Sequence, residues 1–594
     1  MSASIQTPSS ISTKHAFEKS PTRYRVRIVR ENLHLIEVTV SLPTQQRAQI
    51  DFKLPAWRPG RYSIQNYAAH VQEFSAFCNN KNLRFNKLDK QTWRVYTEGE
   101  ASISVKYRFY AAGPVDAGNC YIGHDKLFFT GSNLLVYTDD FRFLPATLTL
   151  QLPPTWKTAT QLVKTDDPYV FYAETYDELI DAPILSSPTL ANYPITAQGK
   201  TVNIFFDKPI APSDKKFTLS QIQADLEKIV VSQFELMQDA PFGEYGFIYQ
   251  ILPERFYHGV EHKNSCSIVL GPEREMNELY DEFLSITSHE FFHVWNVKRI
   301  LPDEFVPYDY TKEVYTPSLY ICEGFTSYYG DLMLCRSGLW SPDTYFAELS
   351  KAINSVQSTY GRKVQSLANS SFDAWLTGYK AGRSTNSINF YTKGQLVALL
   401  LDLEIRVRTQ NTASLDDVMR ALNENFAKQN KGFSHDEFVA LVEKIGNASF
   451  QTFFEKYVFG AEELPYEQSL NQVGLALHAT AQPYMGVRTQ VRGNLEEIQA
   501  VIPESPAALA GLDQGDILLA INNLSLVGAS LKDILMKVNA GEMVTVLYVR
   551  GGKIEQATVT LQSQNTFKVV RLAQPKDTQT RLYESWLKQT WENS

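Results

Sequence analysis

The chain is poor in cysteine. Five occur in 594 residues (Cys78, Cys120, Cys266, Cys322 and Cys335), and no two form a CxxC pair. A disulfide framework is therefore not expected, and the odd count leaves at least one thiol free. Positive charge is not in excess either: 57 Lys and Arg face 65 Asp and Glu, a formal net charge of -8. That balance argues against nucleic acid as the main partner, which would call for a basic patch or stripe. No run of about 20 apolar residues is present, so no membrane-spanning helix is expected. The opening MSASIQTPSSISTKHAFEKS lacks the apolar stretch of a secretory signal. The expected compartment is the cytoplasm, or the periplasm if a signal has been removed.

What is present is an ordinary globular balance, 44% hydrophobic and 21% charged, with 12% aromatics. The length implies several domains. Residues 1–21 are polar and Ser/Thr-rich and read as a mobile tail. Residues 22–195 carry strand-like alternation in YRVRIVR, LHLIEVTVSL, ASISVKYRFY and ATLTLQL, the pattern of a β-sandwich-like domain. Within it, LPAWRPGRYSIQNYA (residues 54–68) reads as a rigid loop packed on the sheet, or else as the wall of a cleft. Residues 196–470 shift to a mixed pattern. SQIQADLEKIVVSQFELMQ has helical spacing, YGFIYQILPE and SCSIVLG read as strands, and helices dominate from about residue 277. Residues 475–565 return to short strands around one small helix, and 566–594 form a C-terminal tail in which RLYESWLKQTWENS is a candidate helix docking on a neighbouring domain. The fold class is multidomain α+β.

The chemistry concentrates in SHEFFHVWNVKRI. On a helix, His289 and His293 lie one turn apart on one face and can hold an ion between their imidazoles. Glu290 is turned by about a hundred degrees from His289. Its carboxylate can therefore take a proton from a metal-activated water rather than ligate the metal. Phe291 and Phe292 would pack on the core and exclude water. A catalytic zinc needs a third protein ligand and an open position. Glu323, in CEGFTSYYGDLML, is the candidate: a glutamate among apolar neighbours is rarely buried unless paired or metal-bound. An oxyanion also needs a donor besides the metal. Tyr391 stands at the entry of the apolar helix in INFYTKGQLVALLLDLE, but spacing leaves Tyr328, Tyr329 and Tyr379 as rivals.

These residues resemble the PDZ-containing glycyl aminopeptidases, a branch of the gluzincin zinc metallopeptidases. The similarity extends over nearly the whole chain: the residue 54–68 motif, HEFFHVWNVKRI, EGFTSYY, and SPAALAGLDQGDILLAIN, which is similar to PDZ domains of the bacterial protease type. The resemblance implies a thermolysin-like mixed α/β plus α-helical catalytic domain between the β-sandwich-like domain and the PDZ domain. It implies Tyr391, in Tyr-Thr-Lys-Gly, as the transition-state tyrosine. It implies that Gly259 and Glu261, in GVEHKNS, line the substrate site, with Glu261 holding the free amine. His262 departs from the Asn that larger relatives carry. Tyr484, Met485, Gly486 and Val487 stand where the carboxylate-binding loop of the PDZ domain would be.

The expected function is a zinc aminopeptidase, with one Zn²⁺ per chain on His289, His293 and Glu323, removing Gly or Ala from peptide N-termini. The expected partners are peptide substrates and a C-terminal peptide bound by the PDZ domain. Two other readings carry the same motifs: a PDZ-directed zinc endopeptidase, and a non-catalytic peptide-binding protein with a structural metal.

Overall fold

The computed structural model describes residues 10–211, 215–379 and 385–591. They divide into two units. The first comprises residues up to 315 with 329–339 and 418–438; the second comprises 316–328, 340–417 and 439 onward.

The first unit begins with a nine-stranded sheet. Its middle strands run Ala146–Gln151, Thr22–Arg30, Leu35–Pro43, Ser102–Tyr110 and Val71–Cys78 in spatial order. The alternation seen in the sequence has its physical counterpart here. Tyr24 and Val26, Ile36, Val38 and Val40, and Val105 and Tyr107 point inward and are fully or nearly fully buried. A three-stranded sheet (Gln49–Lys53, Thr92–Tyr96, Phe85–Lys87) contributes Phe52, Trp93 and Val95 to the same core. The β-sandwich-like character expected of this region is therefore present.

Beyond it lies a mixed sheet. Lys200–Phe206, Glu244–Ile251 and Ser265–Gly271 run parallel to one another, and Phe256–Glu261 pairs antiparallel at the sheet's end. The parallel strands are apolar almost throughout, as strands covered on both faces must be. Helices Leu219–Met237 and Tyr280–Phe292 pack against each other. Gln233 Nε2 donates to Ser288 O and Oγ at 2.9 and 3.1 Å, and the Tyr249 and Thr287 hydroxyls bond at 2.9 Å. These buried bonds tie the second helix to its neighbours along the turn that carries His289.

The second unit is helical, then β. Helix Phe390–Arg408 has buried residues on all sides, from Leu396 through Leu403. Its Asp402, fully buried, accepts from Tyr328 OH (2.7 Å), Arg406 Nε (3.1 Å) and Leu415 N (2.9 Å). Three donors satisfy a charge that burial alone would make costly. The PDZ sheet holds Ile498, Leu518, Ile521, Val544, Val546 and Val559 in its own core. Two long strands, Leu475–Tyr484 and Gln562–Arg571, pair antiparallel as the chain enters and leaves this domain. The ribbon is fastened to helix Pro342–Gln357 by Asn354, which accepts from Phe567 N (2.8 Å) and donates to Phe567 O (2.7 Å).

The described part of each tail is held by specific contacts. Residues 1–9 of the N-terminal one lie outside the described residues. Residues 10–11 pair with Lys164–Thr165, and Thr13–Lys19 is a helix capped by Ser12. Thr13 N donates to Asp166 Oδ1 at 2.8 Å, so side-chain hydrogen bonds dock a segment whose composition reads as mobile. At the other end, the Gln562–Arg571 strand crosses the expected boundary at 565/566. Helix Asp577–Leu587 then buries Tyr583, Trp586 and Leu587, and Trp586 Nε1 donates to Tyr328 OH at 2.9 Å. Among the described residues no helix is long and apolar enough to cross a membrane.

Candidate active site

Helix Tyr280–Phe292 ends at His293, which caps it. Phe291 packs among Phe242, Tyr245 and Phe247, and Phe292 stacks on Tyr329 with centroids 4.7 Å apart. Both phenylalanines are fully buried. They anchor one face of the helix and turn the other, with His289 and His293, inward. The two imidazoles approach Nε2 to Nε2 at 3.1 Å. His293 Nδ1 donates to Asn296 O at 2.6 Å, so its Nε2 keeps a lone pair for a ligand. Burial first, and the neighbouring His293 second, hold His289 well below the usual histidine range, in the neutral form a metal needs. The fit of this chain to a metal rests on that pair of facing nitrogens. Within the first unit, potential ligand atoms converge in two ways: the facing His289 and His293 nitrogens form one set, and Glu261, Glu290 and His293 form another that could hold an ion.

The second set lies wholly within the first unit, and its ligand atoms all fall within 4.8 Å of one another. Glu290 is 5% exposed, and its carboxylate is laid over the Phe256–Glu261 strand. A Cβ at Gly259 would stand 2.0 Å from Glu290 Oε1, so only glycine leaves room there. Two residues along, Glu261 is also 5% exposed, and among the described residues its Oε1 has no hydrogen-bond partner. The residue 54–68 loop covers it: Gly60, at φ +80°, would bring a Cβ to 2.6 Å from Glu261 Oε2. Trp57 Nε1, donating to Asp309 O at 2.8 Å, and Ala56 N, donating to Tyr310 O at 2.8 Å, hold that loop in place. The motif is a packed loop, with Gly60 pressed against the Glu261 carboxylate.

In the second unit, Glu323 is 2% exposed and lies on a π-helical turn, Tyr320–Phe325. Such turns insert a residue into the helical repeat and recur at functional sites. The turn crosses helix Phe390–Arg408 at two glycines. A Cβ on Gly324 would meet Gly394 Cα at 2.5 Å, and one on Gly394 would meet Gly324 Cα at 2.9 Å. This contact sets the segment of Glu323 against the helix of Tyr391. Asn389 caps that helix, accepting from Tyr391 N at 2.8 Å. The Tyr391 hydroxyl lies 3.0 Å from that of Tyr379. Of the rival tyrosines, Tyr328 is committed to Asp402 and Trp586, and Tyr329 is stacked under Phe292.

In the PDZ domain, Gly486 has φ +84°, and a Cβ there would stand 2.1 Å from Ser505 Cβ. Its carbonyl accepts from Ile502 N (2.9 Å) and Ser505 Oγ (3.2 Å). Met485 is buried in the domain core. Val487 opens the strand Val487–Arg492, which ends the sheet and pairs on one side with Leu495–Val501.

Reading along the sequence did not single out Asn296 or the Gly324–Gly394 crossing. Asn296 stood in a motif already quoted, but its part is played by a backbone carbonyl, which no side-chain pattern reveals.

A mixed sheet ending in an antiparallel strand, with a two-histidine helix laid across it and a glutamate turned onto that strand, defines a metallopeptidase of the gluzincin type. Family models narrow this further. Residues 23–188 match the Peptidase M61 N-terminal domain, 282–397 the M61 glycyl aminopeptidase, and 497–550 a PDZ domain. Over these stretches the chain carries the N-terminal and peptidase segments of the M61 glycyl aminopeptidases, followed by a PDZ domain. Among solved structures it is similar to an aminopeptidase N family protein from Idiomarina loihiensis, at 28% identity and TM-score 0.87, over 95% of this chain and 100% of that one. An M1 zinc metallopeptidase from Deinococcus radiodurans is more distant, at 14% identity and TM-score 0.46, over 75% of this chain and 95% of that one. No curated protein sequence matches.

Proposed function

We propose that this aminopeptidase uses zinc and removes small N-terminal residues, glycine and alanine foremost, from peptides. The observation that carries the reading is Glu261. It is a buried carboxylate with an oxygen lacking a donor, beside Glu290 and His293. A buried carboxylate left without a donor is costly, and a cation is what satisfies it. The α-ammonium of a peptide N-terminus supplies charge and three N–H donors at that place. An enzyme cutting inside chains would have no such cation to bring. The Gly60 turn pressed onto the same carboxylate supports a shallow site, suited to residues with little side chain.

His289, His293 and Glu323 are the proposed ligands, two imidazoles and one carboxylate as catalytic zinc sites use. Zinc bound there would supply the Lewis acidity that activates a water and polarises the scissile carbonyl. The chain's own groups do the rest. Glu290, held over Gly259, takes the proton from the attacking water and returns it to the leaving amine. Tyr391, its hydroxyl beside that of Tyr379, donates to the developing oxyanion. In the PDZ domain, the 484–487 loop and the adjacent sheet-end strand are proposed to receive the carboxylate of a C-terminal peptide by strand addition.

The test compares glycine p-nitroanilide with its N-acetylated form, in wild type and in Glu290→Gln. Turnover of the free amine should exceed that of the blocked substrate, and Glu290→Gln should lose on the order of 10³-fold or more in kcat with zinc content unchanged. Preference for the blocked substrate would instead favour an endopeptidase.

A further inference from the structure

The Glu261 strand does not stand on the catalytic sheet alone. It runs into the turn at 262–264, and that turn is gripped from the N-terminal domain. Asp181, last residue of helix Tyr176–Asp181, accepts from the Lys263 backbone N–H at 2.7 Å through Oδ2. Its other oxygen accepts from Lys298 Nζ at 2.6 Å and stands 3.5 Å from His262 Nδ1. Lys298 and His262 side chains are each 6% exposed. Lys298 belongs to the segment leaving the metal helix, and its N–H donates to His293 O at 3.1 Å. Arg299, next along, donates from Nη1 to Lys263 O (2.7 Å) and from Nη2 to Asn264 Oδ1 (2.9 Å). One carboxylate from the β domain thus joins the turn after Glu261 to the turn after His293. The group lines an open cleft of about 230 Å³, together with Arg58, Thr130, Ser132 and Tyr310. Burial opposes ionisation of Asp181, but Lys298 and then His262 more than offset it and hold the carboxyl well below its usual range.

A buried carboxylate with two oxygens spent on two different segments fixes their separation. Removing it withdraws one tie from each segment and leaves a buried ammonium without this anion, which is costly. The turn is also held by His262 N donating to Ser265 O (2.9 Å), by Gly246 N donating to Asn264 O (3.1 Å) and by Arg299, but none of these engages the Lys263 N–H that Asp181 accepts.

We propose that Asp181 is a positioning residue for recognition of the substrate amine: through Lys263 and Lys298 it sets the distance from Glu261 to the metal helix, and so makes the N-terminal β domain part of the ruler that selects chain ends. The inference rests on the reading that Glu261 holds the amine. Its readout is therefore a KM effect on free-amine substrates rather than a general loss of turnover.

The experiment uses the full chain with glycine p-nitroanilide and its N-acetylated analogue. Asp181→Asn keeps an acceptor for Lys263 N–H but withdraws the charge facing Lys298. It should raise KM for the free amine by about tenfold, leave kcat within about threefold, narrow the gap between free and blocked substrates, and leave zinc content unchanged. Lys298→Gln approaches the same pair from its other side and should give the same KM-weighted loss. The double variant should be no worse than the poorer single one. Loss of zinc, loss of kcat at constant KM, wild-type kinetics in both variants, or failure of both to fold would each overturn the inference. Glu261→Gln separates the two layers. If it leaves KM unchanged, the amine-anchor reading itself fails; if it raises KM while Asp181→Asn does not, only the role of Asp181 fails.

Discussion

Gly259→Ala is the most direct test of how the proposed base, Glu290, is held. The new Cβ would stand 2.0 Å from Glu290 Oε1, 2.5 Å from its Cδ and 2.8 Å from its Cγ. Ordinary contact begins at 3.4 Å, so the carboxylate must withdraw by 3.4 − 2.0 = 1.4 Å, or the strand must move by the same amount. The strand has little freedom: it is paired from Phe256–Gly271 through Glu261–Cys266. Glu290 therefore yields, and with it the base's reach to the water. A displacement of about 1 Å in a catalytic group costs about 10²-fold in rate, or roughly 2.7 kcal/mol. The loss should appear in kcat for glycine p-nitroanilide, with zinc content and melting temperature close to wild type, since His289 and His293 lie on another face of the helix. Glu290→Gln in the same background should add little, because the base is already out of place. If Gly259→Ala keeps kcat within threefold of wild type, then Glu290 either does not act from this position or is not the base.

Two more outcomes can be checked on the same protein. Tyr391→Phe should lower kcat by about 10²-fold with KM little changed, since the lost donor acts on charge that develops only in the transition state; an equal loss in KM would assign the hydroxyl to ground-state binding. Lys393, 1% exposed, has no hydrogen bond to Nζ among the described residues, and burial, only partly countered by Glu463, pushes it down to about 8 from 10.5. The unfolded chain therefore binds this proton more tightly, so the residue's contribution to stability is lowest below about pH 8 and rises by about 3 kcal/mol towards pH 10.5. Lys393→Met should raise the denaturant midpoint at pH 7, with the advantage shrinking as the pH approaches 10.5; a variant less stable than wild type at pH 7 would show that the ammonium is satisfied.

Much of this architecture is legible one residue at a time. The alternation in YRVRIVR and LHLIEVTVSL is the direct image of a sheet with one buried face, and SCSIVLG forms the strand Ser265–Gly271 residue for residue. His289, Glu290 and His293 are readable because helical periodicity fixes their directions before any fold is known. The docking of residues 10–21 was not legible: their composition is polar, and what orders them is bonding to residues more than 100 positions away, such as Thr13 to Asp166. A C-terminal helix was legible, but its partner was not, since Tyr328 lies 258 positions from Trp586.

By itself, then, the sequence determined the local chemistry: a helix offering two imidazoles and a base, strands of fixed alternation, a PDZ block, and a family resemblance that names Glu323, Tyr391 and Glu261. Tertiary structure alone decided three things. It set Glu290 on a glycine so that the base lies over the Glu261 strand. It brought Gly60, 201 positions upstream, onto the Glu261 carboxylate. It joined the turns after Glu261 and His293 through Asp181 of another domain. The physical reason is common to all three. Each depends on a distance of 2 to 4 Å between segments far apart in the chain, and such distances follow from how sheets and helices pack, not from any period within one segment.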